Sequence, residues 1–176
     1  LSGSGFVMNS SASTTAQTLT VGFDGTSSTF SGTFLRFNDA TPNTSNLTKI
    51  GAGTLTLTAP GASSTSGGLL TINRGVVAYT DAGSSNFITS AMQVNEGGTI
   101  RLDNTGTVNV NNRLNGGALA LNGGTLEYLG RASTASTELG GVLTLGASAS
   151  TINLTAGAGG TALVTFASLT QSAGAT

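Results

Sequence analysis

Few groups in this sequence could carry acid–base chemistry. The 176 residues include no His and no Cys, seven Asp and Glu residues, and six Lys and Arg residues, of which Lys49 is the single Lys. Glycoside hydrolysis needs two carboxylates that flank one bond, and the acidic residues here form no paired motif. They are Asp24, Asp39, Asp81, Glu96, Asp103, Glu127 and Glu138. The nearest approach to a site is Asp103 beside Arg101 and Glu127.

The sequence also offers few residues for nucleophilic catalysis or metal binding. A Ser–His–Asp triad is excluded because there is no His, and a Ser–Lys dyad would depend on Lys49, which belongs to a repeat motif and is expected to be solvated. Calcium-binding nonapeptides require an Asp after their glycines, whereas Gly157-Ala-Gly-Gly160 has none. We therefore expect no catalytic residue, no cofactor and no metal, and the chain is predicted not to be an enzyme.

The charge of the chain argues against two classes of partner. The formal net charge is -1 and the pI is near 5.0, so there is no basic surplus to neutralise phosphates. No apolar run reaches the roughly 18 residues of a membrane span. We expect neither nucleic-acid binding nor membrane insertion. Because the chain starts at Leu1 rather than Met, it is expected to be a processed or excised piece of a longer precursor.

Short alternating apolar runs recur at a nearly constant spacing along the chain. They come in pairs joined by a small, usually Gly-containing turn, and the first runs of the pairs begin at residues 47, 69, 91, 118, 142 and 163. Alternation at period two predicts β-strands, and no window has the helical period. Repeats of 21 to 27 residues indicate a parallel β-solenoid of about six to seven coils with no helices. A sandwich of hairpins is the alternative.

Stacked coils should align equivalent residues in columns. Asn73, Asn95 and Asn122 each follow the first strand of a pair, so their side chains could form an amide ladder; the alternative is three ordinary turn asparagines. Arg101 and Glu127 share an outward slot in neighbouring coils and predict a structural ion pair. Ten inward positions should form core rows: Leu55, Leu57, Val77, Tyr79, Ile100, Leu102, Leu126, Tyr128, Ile152 and Leu154.

The repeat also predicts how the chain is organised. Residues 1–46 follow the rhythm less well and contain five of the seven Phe residues, so we expect an irregular N-terminal coil, a cap or a strand-exchange segment. Residues 47–176 are expected to form the solenoid repeats. The C-terminal end has neither charges nor proline to cover it, which predicts an open end built to meet more solenoid.

Three stretches carry a resemblance to a known repeat. They are Thr26-Ser-Ser-Thr-Phe-Ser-Gly32, Leu47-Thr-Lys-Ile-Gly-Ala-Gly-Thr-Leu-Thr-Leu-Thr58 and Gly67-Gly-Leu-Leu-Thr-Ile-Asn-Arg-Gly-Val-Val-Ala-Tyr79. Together they resemble the autotransporter-associated β-strand repeat, also called the passenger-associated transport repeat, of bacterial surface proteins. The turn at residues 59–68 departs from the family pattern. The resemblance implies a right-handed parallel β-helix exported to the bacterial cell surface, and implies no particular activity.

These observations lead to one functional expectation and one alternative. We expect an extracellular structural protein, a β-solenoid subunit that stacks head-to-tail into a cell-surface fibre or filament. Its partners would be copies of itself or adjacent repeats of a longer chain. The alternative is an adhesin or passenger segment that binds host or matrix ligands, including glycans, through loops such as residues 60–66 or 82–86, although these loops lack aromatic platforms.

Overall fold

The computed structural model describes residues 1–9, 16–36, 45–59, 68–83 and 91–176, and these residues form strands, turns and bends without a helix. Period-two alternation of apolar residues puts every second side chain on one face, which produces strands rather than helices. The fifteen strands are β1 (Phe6–Asn9), β2 (Gln17–Val21), β3 (Ser28–Phe30), β4 (Thr33–Arg36), β5 (Ser45–Lys49), β6 (Thr54–Leu57), β7 (Leu69–Ile72), β8 (Gly75–Tyr79), β9 (Ala91–Asn95), β10 (Gly98–Asp103), β11 (Ala118–Asn122), β12 (Thr125–Leu129), β13 (Ala135–Leu145), β14 (Thr151–Thr155) and β15 (Thr161–Gln171).

Two parallel sheets run the length of the molecule. One has the strand order β14-β12-β10-β8-β6-β3 and is called the six-stranded sheet; the other has the order β15-β13-β11-β9-β7-β5-β2 and is called the seven-stranded sheet. The chain alternates between them, so each strand pairs with the strand one coil earlier. This arrangement confirms the predicted all-β parallel solenoid.

The number of coils is slightly lower than predicted. The structure forms about five turns instead of six to seven. The reason lies in the terminal rungs, which are incomplete: β3 has only three residues, and no strand of the six-stranded sheet follows β15.

The core consists of columns of inward side chains between the two sheets. In the six-stranded sheet one column runs through Leu55, Val77, Ile100 and Leu126, and a second runs through Leu57, Tyr79, Leu102 and Tyr128. All eight side chains are buried. Each contributes about 1.5–3 kcal/mol when it leaves water, so burial of these columns stabilises the fold strongly.

Glycine is required where the turns of successive coils stack closely. Gly51 has φ 70° and Gly75 has φ 73°, in the left-handed region. A Cβ on Gly75 would lie 2.4 Å from the carbonyl oxygen of Gly51, and a Cβ on Gly51 would lie 2.0 Å from that of Gly22. Only glycine fits both the backbone angle and the space at these corners.

The assignment of residues 163–166 as the sixth first strand is wrong in register. The residue that aligns with Val142 is Ser168, whereas Leu163 aligns with Thr137. β13 and β15 each have 11 residues, because each continues from an additional wall into the seven-stranded sheet. Alternation is the same on both walls, so it could not indicate to which wall Leu163 belongs.

Strands of the solenoid also come from the first 46 residues. β2 pairs with β5 in the seven-stranded sheet, and β3 pairs with β6 in the six-stranded sheet. Gly3 forms a parallel bridge with Phe30, and β1 pairs with β4. Residues 10–15 and 37–44 of this segment lie outside the described residues.

Candidate functional site: the end rungs and a buried polar corner

The three turn asparagines are brought together in one column. Asn95 Nδ2 donates to Asn73 Oδ1 at 2.6 Å, and Asn122 Nδ2 donates to Asn95 Oδ1 at 3.1 Å. The next position in the column is Gly146, whose added Cβ would lie 2.4 Å from Asn122 Oδ1. The amide ladder therefore links three successive coils through two side-chain hydrogen bonds, which is a structural role.

Arg101 and Glu127 are direct neighbours on β10 and β12. Arg101 Nε lies 2.5 Å from Glu127 Oε2, and both side chains are about one-third exposed. An ion pair at such a position contributes about 0–1 kcal/mol. Its effect is to fix the register of two coils.

Lys49 is buried, contrary to the expectation that it would be solvated. Its side chain is 1% exposed and takes an inward position, aligned with Val21 before it and Ile72 after it. The ammonium donates to the carbonyls of Ile50 and Gly51, both at 2.7 Å. The correction has a physical cause, because the turn supplies backbone acceptors that replace water around the amine, and desolvation lowers the pKa of Lys49.

A second buried polar group, called here the polar corner, consists of Arg113, Asn104, Tyr128, Ser136 and Glu138. All five side chains are buried. They lie where the chain leaves the six-stranded sheet and turns toward the wall that includes the first half of β13. The corner was not identified from the sequence, although the polar residues at alternate positions 136 and 138 of a strand were a usable signal.

Arg113 is the hub of the polar corner. Its Nη1 donates to the carbonyl of Gly83, and its Nη2 donates to the carbonyls of Asp81 and Asp103 at 2.9 and 3.0 Å. Nη2 and Nε also donate to Asn104 Oδ1 at 2.7 and 3.0 Å. One guanidinium thus joins the chain after β8 to the chain after β10, two successive coils.

Glu138 is the least well satisfied member of the polar corner. Its Oε1 accepts a 2.7 Å hydrogen bond from the backbone amide of Leu114, while its Oε2 is buried with no hydrogen-bond partner among the described residues. Burial raises the pKa of Glu138 to about 7, and the nearby charge of Arg113 opposes this rise only in part. The carboxyl therefore favours its neutral form inside the fold.

The raised pKa of Glu138 predicts that the chain is more stable in mild acid. A carboxyl whose folded pKa lies above its unfolded value of 4.5 destabilises the fold as pH rises through the interval between the two values. We expect the free energy of unfolding to fall by roughly 3 kcal/mol between pH 4.5 and pH 8. Urea unfolding followed by circular dichroism at several pH values measures it.

The Glu138→Gln variant isolates this effect from other titrations. It should lose most of the pH dependence and exceed the parent chain in stability at pH 8. Glu96→Gln, at an exposed position, serves as the matched control and should keep the parent's slope. An unchanged slope in Glu138→Gln would contradict the assignment.

The remaining acidic side chains that the structure describes do not assemble into a reactive pair. Asp24 accepts from Thr26, and Asp103 accepts from Thr105, in local turns. No group of three His, Cys, Asp or Glu in the described ranges could hold a metal ion. Asp39 lies outside the described residues, as do residues 60–66 and most of 82–86, the loops considered for ligand binding.

The C-terminal end rung exposes the core. β14 and β15 are the last strands of their sheets among the described residues. Ile152 and Leu154 continue the two inward columns of the six-stranded sheet, but they are 40% and 44% exposed; Leu169, which follows Leu143 in the seven-stranded sheet, is 60% exposed. Residues 139–176 contain no charged side chain.

The N-terminal end rung exposes both apolar and polar side chains. A cleft of about 770 Å³ is lined by residues that include Leu1, Leu19, Val21 and Phe23, with Asp24 among them. β2 is the edge strand of the seven-stranded sheet among the described residues. Phe23 is 92% exposed, and no charged side chain precedes Asp24.

In the part of the chain that the structure describes, no helix has the length and apolar character needed to span a bilayer. At the two ends of the solenoid, strand edges and inward side chains are partly exposed to solvent. Comparison with protein-family models, with curated proteins and with solved structures finds no match to this chain.

Proposed function

We propose that this chain is an extracellular structural protein, a β-solenoid unit that stacks head-to-tail into a fibre at the bacterial cell surface. The observation that carries the proposal is the pair of end rungs. Each end combines an edge strand with partly exposed inward side chains, and each lies in a terminal segment without charge. The partners are copies of the chain or further repeats of the same kind.

The lack of charged side chains on the end strands β2, β14 and β15 supports stacking. Sheet edges that must not pair with another chain are usually protected by Lys, Pro, bulges or a covering element. All 13 charged residues lie between Asp24 and Glu138, and the two prolines are Pro42 and Pro60. The end strands β14 and β15 therefore have none of the charges or prolines that prevent edge-to-edge pairing.

Stacking would also extend the solenoid along its axis. About five turns at a strand spacing of about 4.8 Å extend roughly 25 Å along the axis. Head-to-tail contacts use two different surfaces, and such heterologous association continues without limit when the rotation does not close a ring. A fibre is the product of that geometry.

The cell-surface location rests on the sequence motif. The Leu47–Thr58 stretch resembles the repeat of exported bacterial passenger domains. The parallel solenoid found here is the fold that the resemblance implied.

The test is electron microscopy of the purified 176-residue chain over a range of concentrations, with light scattering on the same samples. We expect rods of uniform width whose mean length grows with concentration. Monomers that persist at every concentration would contradict the proposal and would favour the adhesin alternative.

A further inference from the structure

This inference rests on the proposed stacking and concerns the register between two stacked copies. We propose that β15 of one copy pairs in parallel with β2 of a second copy, so that Leu169 lies on Leu19, while β14 of the first copy pairs with the segment around Gly3 of the second. Leu154 then faces Gly3, and Ile152 faces Leu1. The partner is a second copy of this chain.

The columns of the seven-stranded sheet define the first half of the interface. One column runs Leu19, Leu47, Leu70, Met92, Leu119, Leu143 and Leu169 through consecutive strands. Every member is a Leu or Met, so Leu169 placed on Leu19 repeats a contact that the fold already makes six times. The outward column beside it begins at Thr20 and ends at Thr170.

The last inward position of this sheet is compatible with the same register. Gln171 follows Leu145 in the column and would lie on Val21. Its Nε2 already donates to the carbonyl of Ala175 at 3.0 Å, so the amide has a partner within its own chain. Its methylene groups are left to contact Val21.

The six-stranded sheet supplies the second half. The segment around Gly3 already occupies the next strand position beyond β3, because Gly3 N donates to the carbonyl of Thr29 at 3.1 Å and Ser31 N donates to the carbonyl of Gly3 at 2.8 Å. Counting back from the Gly3–Phe30 bridge aligns Leu1 with Ser28. Leu1 and Gly3 are therefore the outermost members of the columns that end at Ile152 and Leu154.

The two ends have steps that fit each other. At the C-terminal end, β15 extends the seven-stranded sheet one strand beyond the six-stranded sheet. At the N-terminal end, the segment around Gly3 extends the six-stranded sheet one strand beyond the seven-stranded sheet. Placing one end on the other pairs both edges at the same time.

Space is available where the contact needs it. A Cβ added to Gly3 would meet no atom within 4 Å, so the chain's own atoms do not fill the space beside Gly3. The half-exposed Ile152 would contact Leu1, which lines the N-terminal cleft. The apolar groups exposed at one end thus meet apolar groups or open space at the other.

Cysteine pairing tests the register, because the chain has no Cys of its own. Thr20→Cys and Thr170→Cys place thiols at exposed, outward positions that the proposed register makes direct neighbours, about 4.8 Å apart, within disulfide range. Mixing the two variants and oxidising them should convert most of the monomer into a disulfide-linked heterodimer. Thr144→Cys, one coil inside the end, is the matched control and should not cross-link to Thr20→Cys.

The outcomes separate the register from the function. Cross-linking of Thr20→Cys to Ser168→Cys in place of Thr170→Cys, or of Thr170→Cys to itself, would overturn the proposed register while rods and light scattering still support stacking. Absence of both rods and cross-links would overturn the register and the function together. Light scattering of the reduced variants checks that the cysteines leave assembly unchanged.

Discussion

The Arg113→Ala variant is expected to lose about 3–5 kcal/mol of unfolding free energy, because a buried charged hub disappears and its partners remain. The backbone acceptors that it serves are the carbonyls of Asp81, Gly83 and Asp103. Each buried acceptor that loses its donor costs about 1–3 kcal/mol. Urea unfolding followed by circular dichroism gives the value.

A second substitution keeps this prediction testable if Arg113→Ala does not fold. Arg113→Lys preserves the charge but not the planar fork that reaches several acceptors together, so an intermediate loss is expected. Arg74→Ala removes an exposed guanidinium and should change stability by no more than about 0.5 kcal/mol. A loss below about 1 kcal/mol in Arg113→Ala would mean that the corner is not held by this residue.

The double variant Leu154→Lys/Leu169→Lys is expected to abolish assembly in the concentration range where the parent chain forms rods. Both side chains are about half exposed in the single chain, so the isolated unit tolerates lysine. In the stack each ammonium would be buried without a partner, at a cost of several kcal/mol. The concentration needed for assembly should rise at least ~100-fold, since about 1.4 kcal/mol corresponds to a tenfold change.

The matched control for this prediction is Asn153→Lys. It adds a charge on β14 next to Leu154 but on the outward face, beside Glu127 in the register. Assembly should persist in Asn153→Lys, and circular dichroism should show all variants folded. Rods formed by the double variant at the parent's concentration would show that the end columns are not the contact surface.

Most of the architecture could be predicted from local pattern. Alternation of apolar residues, turn glycines and a repeat of 21 to 27 residues favoured a parallel solenoid over a sandwich of hairpins, since stacked repeats bury a continuous core. The columns that pass through Tyr79 and Tyr128, the Asn95 ladder and the Arg101–Glu127 neighbours followed from the same alignment, because parallel in-register stacking places equivalent residues side by side.

The wall to which a strand belongs could not be read in this way. Leu163 alternates just as Val142 does, but the two lie on different walls, and the pairing of β13 with β15 shifts the repeat by five residues. The pattern of one strand reports which side chains share a face. It contains no information on where along the coil that face begins.

The functional inference also combines features predicted from the sequence with features that only the fold reveals. The sequence by itself predicted a parallel stack of strands and a C-terminal segment without charged side chains. Only the tertiary structure decided that Lys49 and Arg113 are buried, that Glu138 has an unsatisfied oxygen, and that the two ends have complementary steps. The physical reason is that burial of a polar group depends on acceptors contributed by other coils, which a local pattern does not contain.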